Sequence, residues 1–242
     1  MRNYEAETKK RVDFIQKLME SAGAEGIVYG NSGGKDSALV GILCKKACDN
    51  TLGIIMPCGS KRNYEIDKND AEKIAEQYNI STKFVDLQDA RKEIIKVIGD
   101  KTSLNDTATA NIAPRLRMIT LYAIAASENR LVAGTGNRSE AYMGYFTKWG
   151  DGAYDFNPIS DLTVTEIYEF LEFLKAPDFI IKKAPSAGLF DGQTDEEEMG
   201  ISYKNIDRLL LNGIADLQSR AIIDRYHDSS EHKRKLPLTF EA

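Results

Sequence analysis

The sequence predicts an α/β fold, a doubly wound parallel sheet with helices on both faces. Two observations carry the prediction: short β-branched runs alternate with helical periodicity, and a glycine-rich turn stands between the first strand and the next helix. The first helix is read over Glu7–Ala22, where Val12, Ile15, Leu18 and Met19 recur at helical spacing. Gly26–Gly30 reads as a buried strand, followed by the turn Asn31–Ser37 and an apolar helix to about Cys48. Thr51–Met56 reads as the second strand, ended by Pro57, and a polar loop then leads to a helix over Asp67–Tyr78. Thr82–Asp86 is the third strand, and a helix runs from it through Ile98. A long helical stretch is expected over Asn105–Asn129, with a kink or a helix start at Pro114. Arg130–Ala133 is the fourth strand; further helices fill Thr163–Lys175 and Tyr203 to about His227.

Composition bounds the function. The chain has 242 residues, 42% hydrophobic and 29% charged, as expected of one domain spanning 1–242 with a substantial core. No apolar run approaches the roughly 20 residues of a membrane span, and the polar start is no targeting segment. A cytoplasmic protein with no membrane partner is the expectation. The net charge of −5 lacks the basic surface a sequence-independent nucleic-acid binder needs, so no nucleic-acid partner is expected. Three cysteines imply no disulfide framework, and Cys44 and Cys48 read as small hydrophobes on one helix.

The strongest motif is Gly30-Asn31-Ser32-Gly33-Gly34-Lys35-Asp36-Ser37. Its glycines let the backbone approach an anion, and a helix N-terminus supplies free amides and a positive dipole end. Asp36 would repel phosphate directly; its chemistry suits a divalent metal that bridges phosphate oxygens. The spacing is neither Walker nor GxGxxG. This run resembles the pyrophosphate-binding loop of the N-type ATP pyrophosphatases, a Rossmann-like, adenine nucleotide alpha-hydrolase-like fold. The resemblance implies that ATP is cleaved between its α and β phosphates to form an adenylate.

Downstream motifs resemble the ammonia-dependent NAD synthetases of that superfamily. Asn111 to Met118 carries Arg115, at a position that contacts deamido-NAD in the family. Gly134-Thr135-Gly136-Asn137-Arg138-Ser139-Glu140 places Thr135 on ATP and Glu140 on Mg2+ beside Asp36. Gly144 to Asp155 matches the most distinctive stretch, with Lys148 and Asp155 on deamido-NAD and Asp151 beside the ammonium; an ordinary turn role competes for Asp151. Lys183 to Leu189 puts Ser186 on ATP, and His232-Lys233 belongs to a C-terminal substrate motif. The polar segment Ala184–Gly200, with acids at Asp195 to Glu198, reads as a lid or as a solvated loop.

One position departs from the family pattern. Val164 stands where relatives usually carry an ATP-contacting lysine, while Lys35 lies in a loop position often uncharged. Lys35 is therefore a candidate catalytic residue that supplies the missing charge. The implied reaction amidates deamido-NAD with ammonia, with ATP as co-substrate, Mg2+ as cofactor and a homodimer as the working unit. Other pyrophosphatase-loop enzymes acting on another carboxylate, or a nucleotide sensor, share the loop and stay open at this point.

Overall fold

In the computed structural model, which describes residues 2–183, 194–237 and 239–240, four parallel strands form one sheet. They are β1 (Gly26–Gly30), β2 (Thr51–Ile55), β3 (Ser81–Phe84) and β4 (Arg130–Ala133), in the order β3-β2-β1-β4. Ile27 sits opposite Thr51 on one side and Leu131 on the other. The chain steps outward from β1 to β3, then returns to the far side of β1 for β4. The winding reverses between β1 and β4, and a crevice opens beyond their carboxyl ends.

The period of two along β1 divides the core. Ile27 and Tyr29 face α1 (Tyr4–Ala22), α2 (Lys35–Ala47), α3 (Lys68–Gln77) and α8 (Val164–Phe173), packing with Ile15, Leu39, Ile74 and Phe170. Val28, Ile54 and Val132 face the other way, onto α4 (Gln88–Gly99) and α6 (Ile112–Ser127) through Ile94, Leu116 and Ala125. Cys44 lies in the first of these clusters and Cys48 packs at its edge, as small hydrophobes do.

A third cluster joins α7 (Arg138–Met143), α10 (Asp195–Met199), α11 (Tyr203–Asn212) and α12 (Leu217–Ser229) to α8, through Met143, Val164, Met199, Ile206 and Ile223. Buried Asp207 fastens it by accepting from Ser139 Oγ at 2.5 Å and from Thr165 N and Oγ1, both at 2.7 Å. The short helices α5 (Asp106–Ala110), α9 (Asp178–Ile181) and α13 (Glu231–Arg234) complete the described residues.

Several boundaries differ from the sequence reading for identifiable reasons. α1 starts three residues early because the Asn3 side chain accepts from Ala6 N at 3.1 Å. The expected long helix is two, α5 and α6, broken at Asn111. Pro114 falls in the first turn of α6, where its missing N–H breaks no intrahelical bond. The helix before β3 is preceded by a π-helical turn, Asn63–Asp67, of the kind that gathers at functional sites. Of the segment Ala184–Gly200, residues 184–193 lie outside the described residues; in the rest α10 buries Asp195 and seats Met199 in the third cluster, while Glu196, Glu197 and Glu198 are exposed.

Candidate active site

Gly30 ends β1 and Lys35 opens α2, so the loop must turn within four residues. Asn31 anchors it from beneath, donating from Nδ2 to Ala71 O at 3.0 Å and from its backbone to Ile54 O at 2.9 Å. Gly33 has φ 68°, and a Cβ there would lie 2.3 Å from Asp67 O, so both conformation and space demand glycine. Ser37 Oγ donates to Gly34 O at 3.0 Å and lies 3.1 Å from Ser32 Oγ. Gly34 caps α2 without a side chain, which leaves the first amides of that helix for a ligand.

Across the crevice, β4 runs into Gly134-Thr135-Gly136, and Asn137 caps α7 in a reciprocal box with Glu140. Asn137 Oδ1 accepts from Glu140 N at 2.9 Å, and Asn137 N donates to Glu140 Oε2 at 3.1 Å. The same Asn137 donates from Nδ2 to Asp36 Oδ1 at 3.0 Å. One buried asparagine, holding Asp36 by its side chain and Glu140 by its backbone N–H, thus sets two carboxylates, one from each side of the switch point, against each other. Burial, reinforced by the Asp36 charge, pushes the Glu140 carboxyl well above its ordinary range.

Lys35 donates to Asp36 Oδ2 at 2.7 Å, with its ammonium 5.7 Å from the centre of the Tyr203 ring. Burial works to lower its pKa, but Asp36, Glu140 and Tyr168 outweigh it and the net shift is upward. Lys35 therefore remains an ammonium.

A cavity of about 560 Å³ follows from these elements. Gly30, Asn31, Ser32, Gly34, Lys35, Asp36 and Ser37 line one wall, and Thr135, Glu140, Asp151 and Lys233 line others. Asp151 accepts from Thr147 N at 2.9 Å, so it closes a turn and faces the cavity at once. Burial raises its carboxyl, against the hydrogen bond from Thr147 and the charge of Arg117.

The comparisons with known proteins agree with this geometry. The NAD synthase family model matches residues 7–237. The chain belongs to the NAD synthase family. It is 46% identical over 238 residues to the NH(3)-dependent NAD(+) synthetase of Carboxydothermus hydrogenoformans, covering 97% of each chain. Among solved structures, the NMN synthetase from Francisella tularensis superposes with a TM-score of 0.94 at 37% identity, over the whole of both chains. The NH3-dependent NAD synthetase from Campylobacter jejuni, in complex with the nitrate ion, gives 0.82 at 31%, again over both whole chains.

The acceptor residues matched to the NAD synthase pattern are not all gathered at the cavity. Arg115, Lys148, Asp155 and His232 lie outside its lining. Three of them form a file instead: Arg115 Nη2 donates to Lys148 O at 3.3 Å, and Lys148 Nζ to His232 O at 2.7 Å. Asp155 accepts from Val132 N at 2.8 Å and from the Tyr122 hydroxyl at 3.2 Å, which seats the bridge between Ala133 and Phe156. Lys233 reaches the cavity, yet its ammonium donates to Gly144 O at 2.8 Å and Phe146 O at 2.9 Å. Ser186 lies outside the described residues.

Among the cavity cations to which the sequence reading gave no role are Arg117 and Lys183. Arg117 donates from Nε to Met56 O at 3.1 Å and from Nη2 to Asn63 Oδ1 at 3.3 Å, and it lines the cavity. Arg115 and Arg117 stand about 200° apart around a helix, so only one of them can face the crevice. That arithmetic was a usable signal. Lys183 also lines the cavity, paired with Asp67 at 2.9 Å and Asp70 at 2.7 Å.

Proposed function

We propose that this NAD synthase amidates deamido-NAD to NAD with ammonia, using ATP and forming an acyl-adenylate, pyrophosphate and AMP. The observation that carries the reading is the pairing of Asp36 with Glu140 through Asn137, beside the uncapped N-terminus of α2. Two half-buried carboxylates, one with its charge disfavoured by burial and by the other, fit a small divalent cation whose further ligands are phosphate oxygens and water. Asp36 and Glu140 would hold Mg2+, which would supply charge neutralisation on the leaving pyrophosphate. Residues 1–242 act as one catalytic domain.

Gly30 to Ser37 bind the ATP phosphates through loop amides and the Ser32 and Ser37 hydroxyls, with Thr135 and Ser186 as further ATP contacts. The nicotinate carboxylate attacks the α-phosphorus and pyrophosphate leaves. Lys35, kept cationic, is the catalytic ammonium that follows charge onto the departing group. Asp151 holds ammonium beside the adenylate and takes its proton, leaving ammonia to attack the activated carbonyl as AMP departs. Arg115, Lys148, Asp155, His232 and Lys233 bind deamido-NAD.

The working unit is a homodimer in the cytoplasm. Ile119 on α6 is 57% exposed and α4 buries no residue fully, so that layer presents apolar surface for a second copy. The same dimer accounts for acceptor residues that lie outside one chain's cavity. Among the described residues, no helix is long and apolar enough to cross a membrane.

Purified protein given ATP, deamido-NAD, ammonium and Mg2+ is expected to form AMP and NAD in equal amounts; ADP and orthophosphate would refute the reading. A second acceptor is favoured by the superposition on the Francisella tularensis NMN synthetase. It is nicotinate mononucleotide, amidated to the nicotinamide mononucleotide of that protein's name. Parallel kcat/KM measurements on the mononucleotide and the dinucleotide separate the two.

A further inference from the structure

A pair of glycines lets the phosphate loop approach an anion, but it leaves the peptide between them free to turn over. The fold supplies a clamp on that peptide. Lys183, two residues beyond α9, donates from Nζ to Gly33 O at 2.9 Å, to Asp67 Oδ1 at 2.9 Å and to Asp70 Oδ2 at 2.7 Å. An ammonium has three donors, and all three are used. None remains for a phosphate, so Lys183 acts through the backbone rather than on the ligand.

The orientation follows from peptide geometry. In a planar trans unit the carbonyl and the next N–H point to opposite sides. Holding Gly33 O on Lys183 turns Gly34 N–H the other way, toward the Ser32 hydroxyl at 3.3 Å. Gly34 lines the cavity, and Gly33 does not.

The clamp is itself braced. Asp67 also accepts from Asn63 Nδ2 at 2.9 Å and from Arg62 Nε at 3.3 Å, and Asn63 Oδ1 receives Arg117. Lys183 and Arg62 balance Asp67 and Asp70, two charges against two, so the node adds little net field at the phosphates.

We propose that Lys183 is a positioning residue of the NAD synthase reaction: with Asp67 and Asp70 it fixes the Gly33–Gly34 peptide with its N–H on the Ser32 hydroxyl, and so holds the loop in the shape that receives the pyrophosphate of ATP. The proposal rests on the ATP-cleaving reading above and adds a residue that the sequence motifs did not assign.

The experiment measures inorganic pyrophosphate and ATP binding by calorimetry, and steady-state kinetics, for wild type, Lys183→Met, Lys183→Arg and Asp70→Asn. Lys183→Met is expected to weaken pyrophosphate binding and raise KM for ATP about tenfold, as for loss of one charge-assisted hydrogen bond. KM for deamido-NAD is expected to stay unchanged, and Lys183→Arg to recover part of the loss. Asp70→Asn discriminates by sign. A clamp loses its brace and binds pyrophosphate more weakly, whereas a lysine acting by charge is unmasked and binds it more tightly. Pyrophosphate affinity unchanged in Lys183→Met, or tightened in Asp70→Asn, overturns the clamp while AMP formation by the wild type leaves the reaction standing. Wild-type protein forming ADP overturns the reaction and the clamp with it. Should Lys183→Met fail to fold, Asp70→Asn and Lys183→Arg still decide.

Discussion

Replacing Lys35 with methionine keeps the length of the stem and removes only the ammonium. In the fold that group pairs with Asp36 at 2.7 Å, with side-chain exposures of 5% and 17%. Both are well under a third, so the pair belongs with buried ion pairs, where deleting one partner costs about 3–5 kcal/mol. Exposed pairs contribute only about 0–1 kcal/mol. The loss is aggravated here because Glu140 remains beside Asp36 with no cation between them. The Lys35 pKa is raised in the fold above the roughly 10.4 of an unfolded lysine, so the contribution is fully present at pH 7. It is lost only as alkali rises through the folded value. For a chain of this size, the change corresponds to a fall of roughly 6–20 °C in melting midpoint. Urea unfolding of the ligand-free protein at pH 7 is the assay, repeated with added Mg2+, which is expected to restore part of the loss. A difference below about 1 kcal/mol would show that Lys35 is solvated and that the acids need no internal counter-charge.

Other outcomes follow from the same geometry. Lys35→Ala is expected to raise KM for ATP, and Val164→Lys to recover part of that loss only in the Lys35→Ala background. Val164 and the Tyr203 ring beneath Lys35 share one buried cluster, so a lysine at 164 beside an intact Lys35 places two cations together. Because burial raises the Asp151 carboxyl, the acid limb of the rate, expressed per unprotonated ammonia, is expected above the roughly 3.9 of a free aspartate and to vanish in Asp151→Asn. A pH–rate profile checks it. Gly41→Ala is expected to destabilise by about 1–3 kcal/mol through overpacking, since its Cβ would lie 2.3 Å from the Tyr29 hydroxyl. In a Tyr29→Phe background only part of the penalty should disappear, because the ring carbon Cζ would still lie 2.7 Å from the new Cβ, as thermal melts of the double-mutant cycle would show. Asp207→Ala is expected to cost about 3 kcal/mol in denaturant unfolding, because it strands the buried Ser139 hydroxyl and unfastens the Thr165 end of α8.

Features encoded locally were readable in the sequence. The strands of the sheet and the phosphate loop each announce themselves within a few residues, through hydrophobic pattern or glycine conformation. So did the meeting of Asp36 with Glu140, because ligands gather where the winding of an open sheet reverses. Features that depend on distant contacts were not. Lys183 lies 150 positions from Gly33, and nothing in its neighbours reveals that its ammonium ends on a loop carbonyl. The π-helical turn at Asn63–Asp67 was hidden for a related reason: the packing of Asp67 O against Gly33 favours it, and propensity does not register packing. Between the two arginines of Arg115-Leu116-Arg117, motif matching chose the one that faces outward, where helix geometry alone would have left the choice open.

Asn137 carries no charge and never titrates, yet it decides how far apart two negative oxygens stand. Under the proposed reading, a cation reaching that pair would find the spacing already made and need not draw the acids together. A longer neighbour such as glutamine would place that amide differently and loosen the spacing before it weakened the fold.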